Sequence, residues 1–263
     1  MDRRQFLATS GAAAFIASTD AIAAPMRTTA GPDAQLNALL DRIFADQIAH
    51  APTYATALGL DKGANARLKS MLDTRPFQSA RAEDLARNNR YLSELSAVPT
   101  AGLSPMSKLN REVVLYDIGT NVAAPQRFDL DSAISPYLWS QQDGAYFSIP
   151  DFLANSHTIS TRSDAEAYLS RLDQLATLLD NETAEQRRQA ARGYVAPGWS
   201  LDLVAKQMHS LRDEPAATSG LVTSLATRTA KAGITGDWQR RAEAIVTSRV
   251  YPALDRQLAL VQE

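Results

Sequence analysis

Three histidines, 29 acidic residues and no cysteine are the raw material for chemistry in this 263-residue chain. Without cysteine there is no disulfide, thiolate nucleophile or cysteine metal site. None of His50, His157 and His209 begins a His-Glu-x-x-His pair, the spacing that turns two imidazoles toward zinc from one helix face. His209 and Asp213, four apart, can share a face as metal pairs do. A zinc site needs three or four converging ligands, and a histidine in a last helical turn before Pro215 complements the helix dipole instead. Gly198-Trp199-Ser200-Leu201-Asp202 carries the first half of a nucleophile elbow but lacks its second glycine and a preceding strand, so Ser200 reads as a helix N-cap. No serine stands three before a lysine, and there is no glycine-rich phosphate loop. Catalysis by carboxylates alone leaves no sequence signature when the acids meet only in space. The sequence therefore assigns no catalytic residue and no metal ligand.

The stretch with binding character runs from Ser135 to Pro150. It sets Tyr137, Trp139, Tyr146 and Phe147 beside Gln141 and Gln142, framed by prolines. Rings supply contact area and amides supply orientation, the mixture used by a groove for peptide or sugar. Tyr137, Trp139, Gln141, Gln142 and Tyr146 are the candidate substrate-binding residues. The same aromatics can instead pin a long connection onto a helical core.

Helical periodicity dominates the elements that must carry these residues. Leu36, Leu39, Leu40, Ile43, Phe44 and Ile48 recur at three and four, placing them on one face of a helix that starts near Pro32. Residues 80–95 repeat the habit, and Ser104-Pro105 is an N-cap with proline at the first helical position, leading into Leu109, Val113, Tyr116 and Ile118. Ser163-Asp164-Ala165-Glu166 reads as a capping box opening a helix over about 163–192, roughly 45 Å long at 1.5 Å per residue. Shorter helices fit 200–211, 216–232 and a last one from Asp237 onward, which Pro252 kinks without stopping. Leu254, Leu258 and Val261 keep helical spacing up to Glu263 with no glycine cap, as if the partner of that stripe lay in residues absent here; a frayed terminal helix docked on the core is the alternative. No stretch alternates with period two, so the expected fold class is all-α, an irregular array of long and short helices.

The N-terminus reads as an export signal. Arg3-Arg4-Gln5-Phe6-Leu7 precedes a short, weakly apolar run and Ala21-Ile22-Ala23, a small-x-small cleavage site. The paired arginines resemble the twin-arginine signal; an ordinary secretory signal is the alternative, and both lead out of the cytoplasm to the periplasm. Residues 1–23 are then the signal and 24–263 the helical domain, with no stable membrane anchor left after cleavage. A net charge of −2 and a pI near 6.0 give no electrostatic reason to expect nucleic acid.

Several segments resemble the bacterial family catalogued as domain of unknown function 885. They are Ser140-Gln141-Gln142-Asp143-Gly144-Ala145-Tyr146 with Ile149-Pro150-Asp151-Phe152-Leu153, Asp164-Ala165-Glu166-Ala167-Tyr168-Leu169, Gly193 with Pro197, Leu221 to Leu225, and Val250-Tyr251-Pro252-Ala253-Leu254. The resemblance implies a helical, zinc-peptidase-like protein, exported or lipid-anchored and usually about twice this long. In that family a His-Glu-x-x-x-Gly-His-His-like metal helix lies in the C-terminal half. Nothing here matches it, so the resemblance covers the N-terminal half only, and zinc is expected only in a complete member. It implies an incomplete lobe of a zincin-like protein, inactive alone, whose partners are a peptide substrate or a C-terminal domain. A self-sufficient periplasmic binding or scaffold protein is the other reading.

Overall fold

The computed structural model describes residues 31–132 and 136–263; the export signal read over 1–23 lies outside the described residues, as does Ser135. Ten α-helices account for the fold among those residues, with no strand: α1 Pro32–His50, α2 Pro52–Ala57, α3 Phe77–Ser96, α4 Pro105–Phe128, α5 Ala145–Asn155, α6 Arg162–Ala190, α7 Gly198–Arg212, α8 Gly220–Lys231, α9 Trp238–Ile245 and α10 Tyr251–Gln262. A 3-10 helix, Gly63–Ser70, lies between α2 and α3. The all-α expectation is met, and no helix among the described residues is long and apolar enough to cross a membrane.

α6 is the organising element because its apolar residues form one continuous stripe along much of its length. Ala165, Tyr168, Leu169, Leu172, Leu175, Ala176 and Leu179 are all buried, and α5, α8, α9 and α10 pack around them. The buried positions of α6 beside that stripe, Arg171, Glu182, Glu185 and Gln189 among them, are polar and hydrogen-bonded to or beside the elements packed there. Its cap differs from the expected one. Thr161, not Ser163, accepts from the Asp164 N–H, and Asp164 reaches back to the Thr161 N–H. Both frames satisfy the same pattern, and Asp164 decides between them because Lys69 also holds its carboxylate at 2.5 Å.

A second, smaller core joins α1, α3 and α4 through Leu36, Ile43, Tyr91, Leu95, Ile118 and Val122. Ser104 caps α4 as expected, accepting from Ser107 N. Of the four apolar residues singled out in the sequence only Ile118 is buried: Leu109, Val113 and Tyr116 are exposed, Tyr116 at 76%. α4 carries two apolar stripes about half a turn apart, and α1 and α3 cover the one holding Val114, Leu115, Ile118 and Val122. Phe44 likewise stays exposed on α1.

The last helix is docked on the core, the second of its two readings. Leu254 and Leu258 are buried, and Leu260 and Val261 pack partly against the same core, because α6 and α7 of this chain cover the stripe. Its path past Pro252 is eased by a π-helical turn, Val246–Val250, between α9 and α10. The wider turn stands immediately before the proline, whose ring would otherwise press on the carbonyl four residues back.

Candidate functional site

The aromatic stretch crosses α6 and enters α5. α5 has no side-chain cap of its own at Gly144, which leaves the first amide of the helix in need of an acceptor. Glu182 of α6 provides it. Its carboxylate accepts from Ala145 N at 2.8 Å, from Trp139 Nε1 at 3.3 Å and from Gln257 Nε2 of α10 at 3.2 Å. One buried acid thus joins the loop, α5 and α10. Burial pushes Glu182 up to about 7, although all three donors favour its charged form.

The five sequence-derived candidates divide into two groups. Trp139 and Tyr146 are 1% and 3% exposed, so their rings are core anchors. The Tyr146 hydroxyl donates to the Ser140 carbonyl at 2.6 Å and lies 3.0 Å from Gln207 Oε1 on α7; burial pushes its pKa up to about 12. Tyr137 and Gln141 are half-buried and Gln142 is exposed. The Gln141 carbonyl accepts from Gln207 Nε2 at 3.3 Å, and its side chain stands 3.5 Å from the Ser200 hydroxyl. Ser200 is therefore not the expected cap: α7 begins after Pro197, and Ser200 is buried in its first turn. These bonds join α5 and α7, whose outer faces leave Phe147, Trp199 and Leu203 exposed, Trp199 at 67%. Sequence reasoning missed Trp199 and Leu203 as surface aromatic and aliphatic partners. Their i, i+4 spacing was the available signal.

Gly144 makes the arrangement possible. Its φ of +107° is a conformation that side chains rarely adopt, and an added Cβ would meet the Tyr146 ring at 3.0 Å and Trp139 Cδ1 at 3.2 Å. Gly144→Ala is expected to cost about 2 kcal/mol of stability and to disturb the near-ultraviolet signal of Trp139. Urea unfolding within about 0.5 kcal/mol of the parent would rule out this geometry.

The histidines do not fit a zinc site. His50 Nδ1 lies 2.8 Å from the Asp46 carbonyl, and His209 pairs with Asp213 at 3.1 Å on the surface at the end of α7. His157 has both ring nitrogens engaged. Arg171 Nη1 donates to its Nδ1 at 2.7 Å, so the ring proton sits on Nε2 and is donated to the Asp164 carbonyl at 2.9 Å. Burial and the neighbouring guanidinium pull His157 down to about 4. Among the described residues no three His, Cys, Asp or Glu side chains stand close enough to hold a metal ion.

Residues 52–263 match a family described as bacterial proteins of unknown function, DUF885. This chain belongs to the DUF885 family. None of the curated proteins matches it. Among solved structures, the DUF885 chain is similar to one described as "the putative lipoprotein from Colwellia psychrerythraea", at 19% identity and a TM-score of 0.76. The match covers 88% of this chain and 41% of that one. At that identity the likeness carries the fold. The DUF885 chain thus spans less than half the length of that protein.

Proposed function

We infer that this DUF885 chain is the helical lobe of an exported, zinc-peptidase-like protein and supplies one wall of a peptide-binding cleft, while the metal-holding half lies in other residues. The observation that carries the reading is the 41% coverage of the solved relative, a protein with ample further chain for a second half. Three features support it: the family resemblance, three histidines that cannot converge, and the relative's description as a lipoprotein, which suits export. The wall would be the α5–α7 surface, where Gln141 approaches Ser200 beside the exposed Trp199, Phe147 is exposed on α5, and Tyr137 and Gln142 of the adjoining loop would complete it. Rings there offer area to an extended peptide, and the two amides can pair with its backbone.

The test is elemental analysis of the purified chain together with a hydrolysis assay and a fluorescence-anisotropy titration, both with a labelled unstructured peptide. Expected are no stoichiometric zinc, no cleavage, and binding that weakens several-fold in Trp199→Ala. One bound zinc per chain with peptide cleavage would overturn the reading. The covered stripe of α10 favours a second reading, a self-sufficient helical binding protein. It is distinguished by a single cooperative unfolding transition together with peptide binding that needs no further domain.

A further inference from the structure

A cleft of about 570 Å³ lies away from the α5–α7 wall, between the 3-10 helix and the first turns of α6. Its walls bring together Asp61, Lys62, Lys69, Ser163, Asp164 and Glu166. Most of these charges are already matched. Lys69 bridges Asp164 at 2.5 Å and Thr158 at 3.1 Å, and Asp164 also accepts from the Ser160 and Thr161 amides. Glu166 is held by Arg241 through two bonds, at 2.8 and 2.6 Å.

Two opposite charges remain without a direct salt bridge among the described residues. Asp61 is only 6% exposed, and among the described residues its carboxylate accepts one hydrogen bond, from Thr56 Oγ1 at 2.9 Å, with no donor on the second oxygen. Behind it stands Arg171, fully buried, which donates to Thr56 at 2.6 Å, so the hydroxyl relays a positive charge to the far side of Asp61. Lys62, the next residue, is exposed and lines the same cleft. Among the described residues no carboxylate pairs with it, and Asp61 and Lys62 do not pair with each other. Adjacent residues that present a buried acid and a free base to one cavity, without neutralising one another, are complementary to a ligand carrying both signs a short distance apart. The Ser163 hydroxyl in the same wall adds a donor for an anionic group.

We propose that this cleft binds a short peptide with both termini free, its ammonium on Asp61 and its carboxylate on Lys62 and Ser163. The cleft volume exceeds one amino acid and suits a di- or tripeptide, as small-molecule sites generally enclose their ligand. The site is separate from the α5–α7 wall and does not depend on it.

Calorimetric titration of the full chain with L-alanyl-L-alanine tests this. Expected is saturable one-site binding that weakens about tenfold or more when the dipeptide is N-acetylated or C-amidated, and equally in Lys62→Ala. Lys62 is exposed, so that variant keeps its circular dichroism. Trp199→Ala should bind as the parent does, which separates this cleft from the α5–α7 wall. Asp61→Asn should abolish binding if it folds. No heat at millimolar dipeptide, equal binding of the blocked forms, or parental affinity in Lys62→Ala would each overturn the proposal.

Discussion

Replacing Arg171 with methionine is expected to lower the unfolding free energy by about 4 kcal/mol, a large part of the stability of a domain this size. The guanidinium is completely buried, and each of its nitrogens is engaged. Nε donates to the Met71 carbonyl at 3.1 Å and Nη1 to His157; Nη2 serves Thr56, the Leu68 carbonyl at 3.0 Å and, more weakly, the Pro52 carbonyl at 3.4 Å. The Phe152 ring lies 4.8 Å from its centre. Methionine fills much of the volume yet supplies no donor, so several buried acceptors lose their partner at once. Arg171→Lys keeps the charge but not the planar fork and should lose about half as much. Urea unfolding of both variants gives the comparison; a methionine variant within about 1 kcal/mol of the parent would show that the hub is not what joins α2 and the 3-10 helix to α6.

The second large effect is a pH dependence hidden by cancellation. His157 has a folded pKa near 4 against an ordinary 6.5. The unfolded chain therefore binds more protons between those values, and stability falls as pH drops from 6.5 to 4, by on the order of 3 kcal/mol. Glu182 runs the other way. Its folded pKa near 7 lies above the ordinary 4.5, so the folded state holds the extra proton and stability falls as pH rises from 4.5 to 7, by a similar amount. Between 4.5 and 6.5 the two slopes oppose each other, and the parent should look nearly flat. Glu182→Gln should expose the His157 slope as a clear loss of stability on acidification through that window. Below about 4.5 a separate loss begins as Asp164 and Glu185, both held near 2 by hydrogen bonds from their partners, take up protons. Denaturation midpoints of parent and Glu182→Gln from pH 4 to 8 check both signs, and a flat variant profile would mean His157 is not buried as the neutral ring.

Much of the helical order was legible because it rests on local chemistry. Pro32 and Ser104-Pro105 open helices where their backbone preferences require, and the 3.6-residue stripe of α6 locates its axis within two residues. What failed needed the third dimension. α4 carries two apolar faces of equal merit, and only the placement of α1 and α3 selects between them. Trp139 and Tyr146 have the composition of a groove, yet Glu182 and Gln207, 43 and 61 residues away in sequence, draw them inward. Glu182 itself looks like any surface acid of a long helix. Nothing local shows that three donors from distant segments end on it. The same holds for Arg171, whose farthest partner, Pro52, lies 119 residues away in sequence.

The π-helical turn before Pro252 has an effect on the geometry of everything after it. An α-helix advances 100° per residue, so a single wide turn retards the winding and leaves α9 and α10 out of phase although they form one rod. That offset keeps Trp238, Ala242, Val246, Val250, Leu254 and Leu258, spaced by four, on one buried face, although such a spacing drifts about 40° per step round a uniform α-helix. Val246–Val250 therefore acts as an angular gear within a continuous shaft, and the seating of the final helix depends on the count of residues there as much as on their identity.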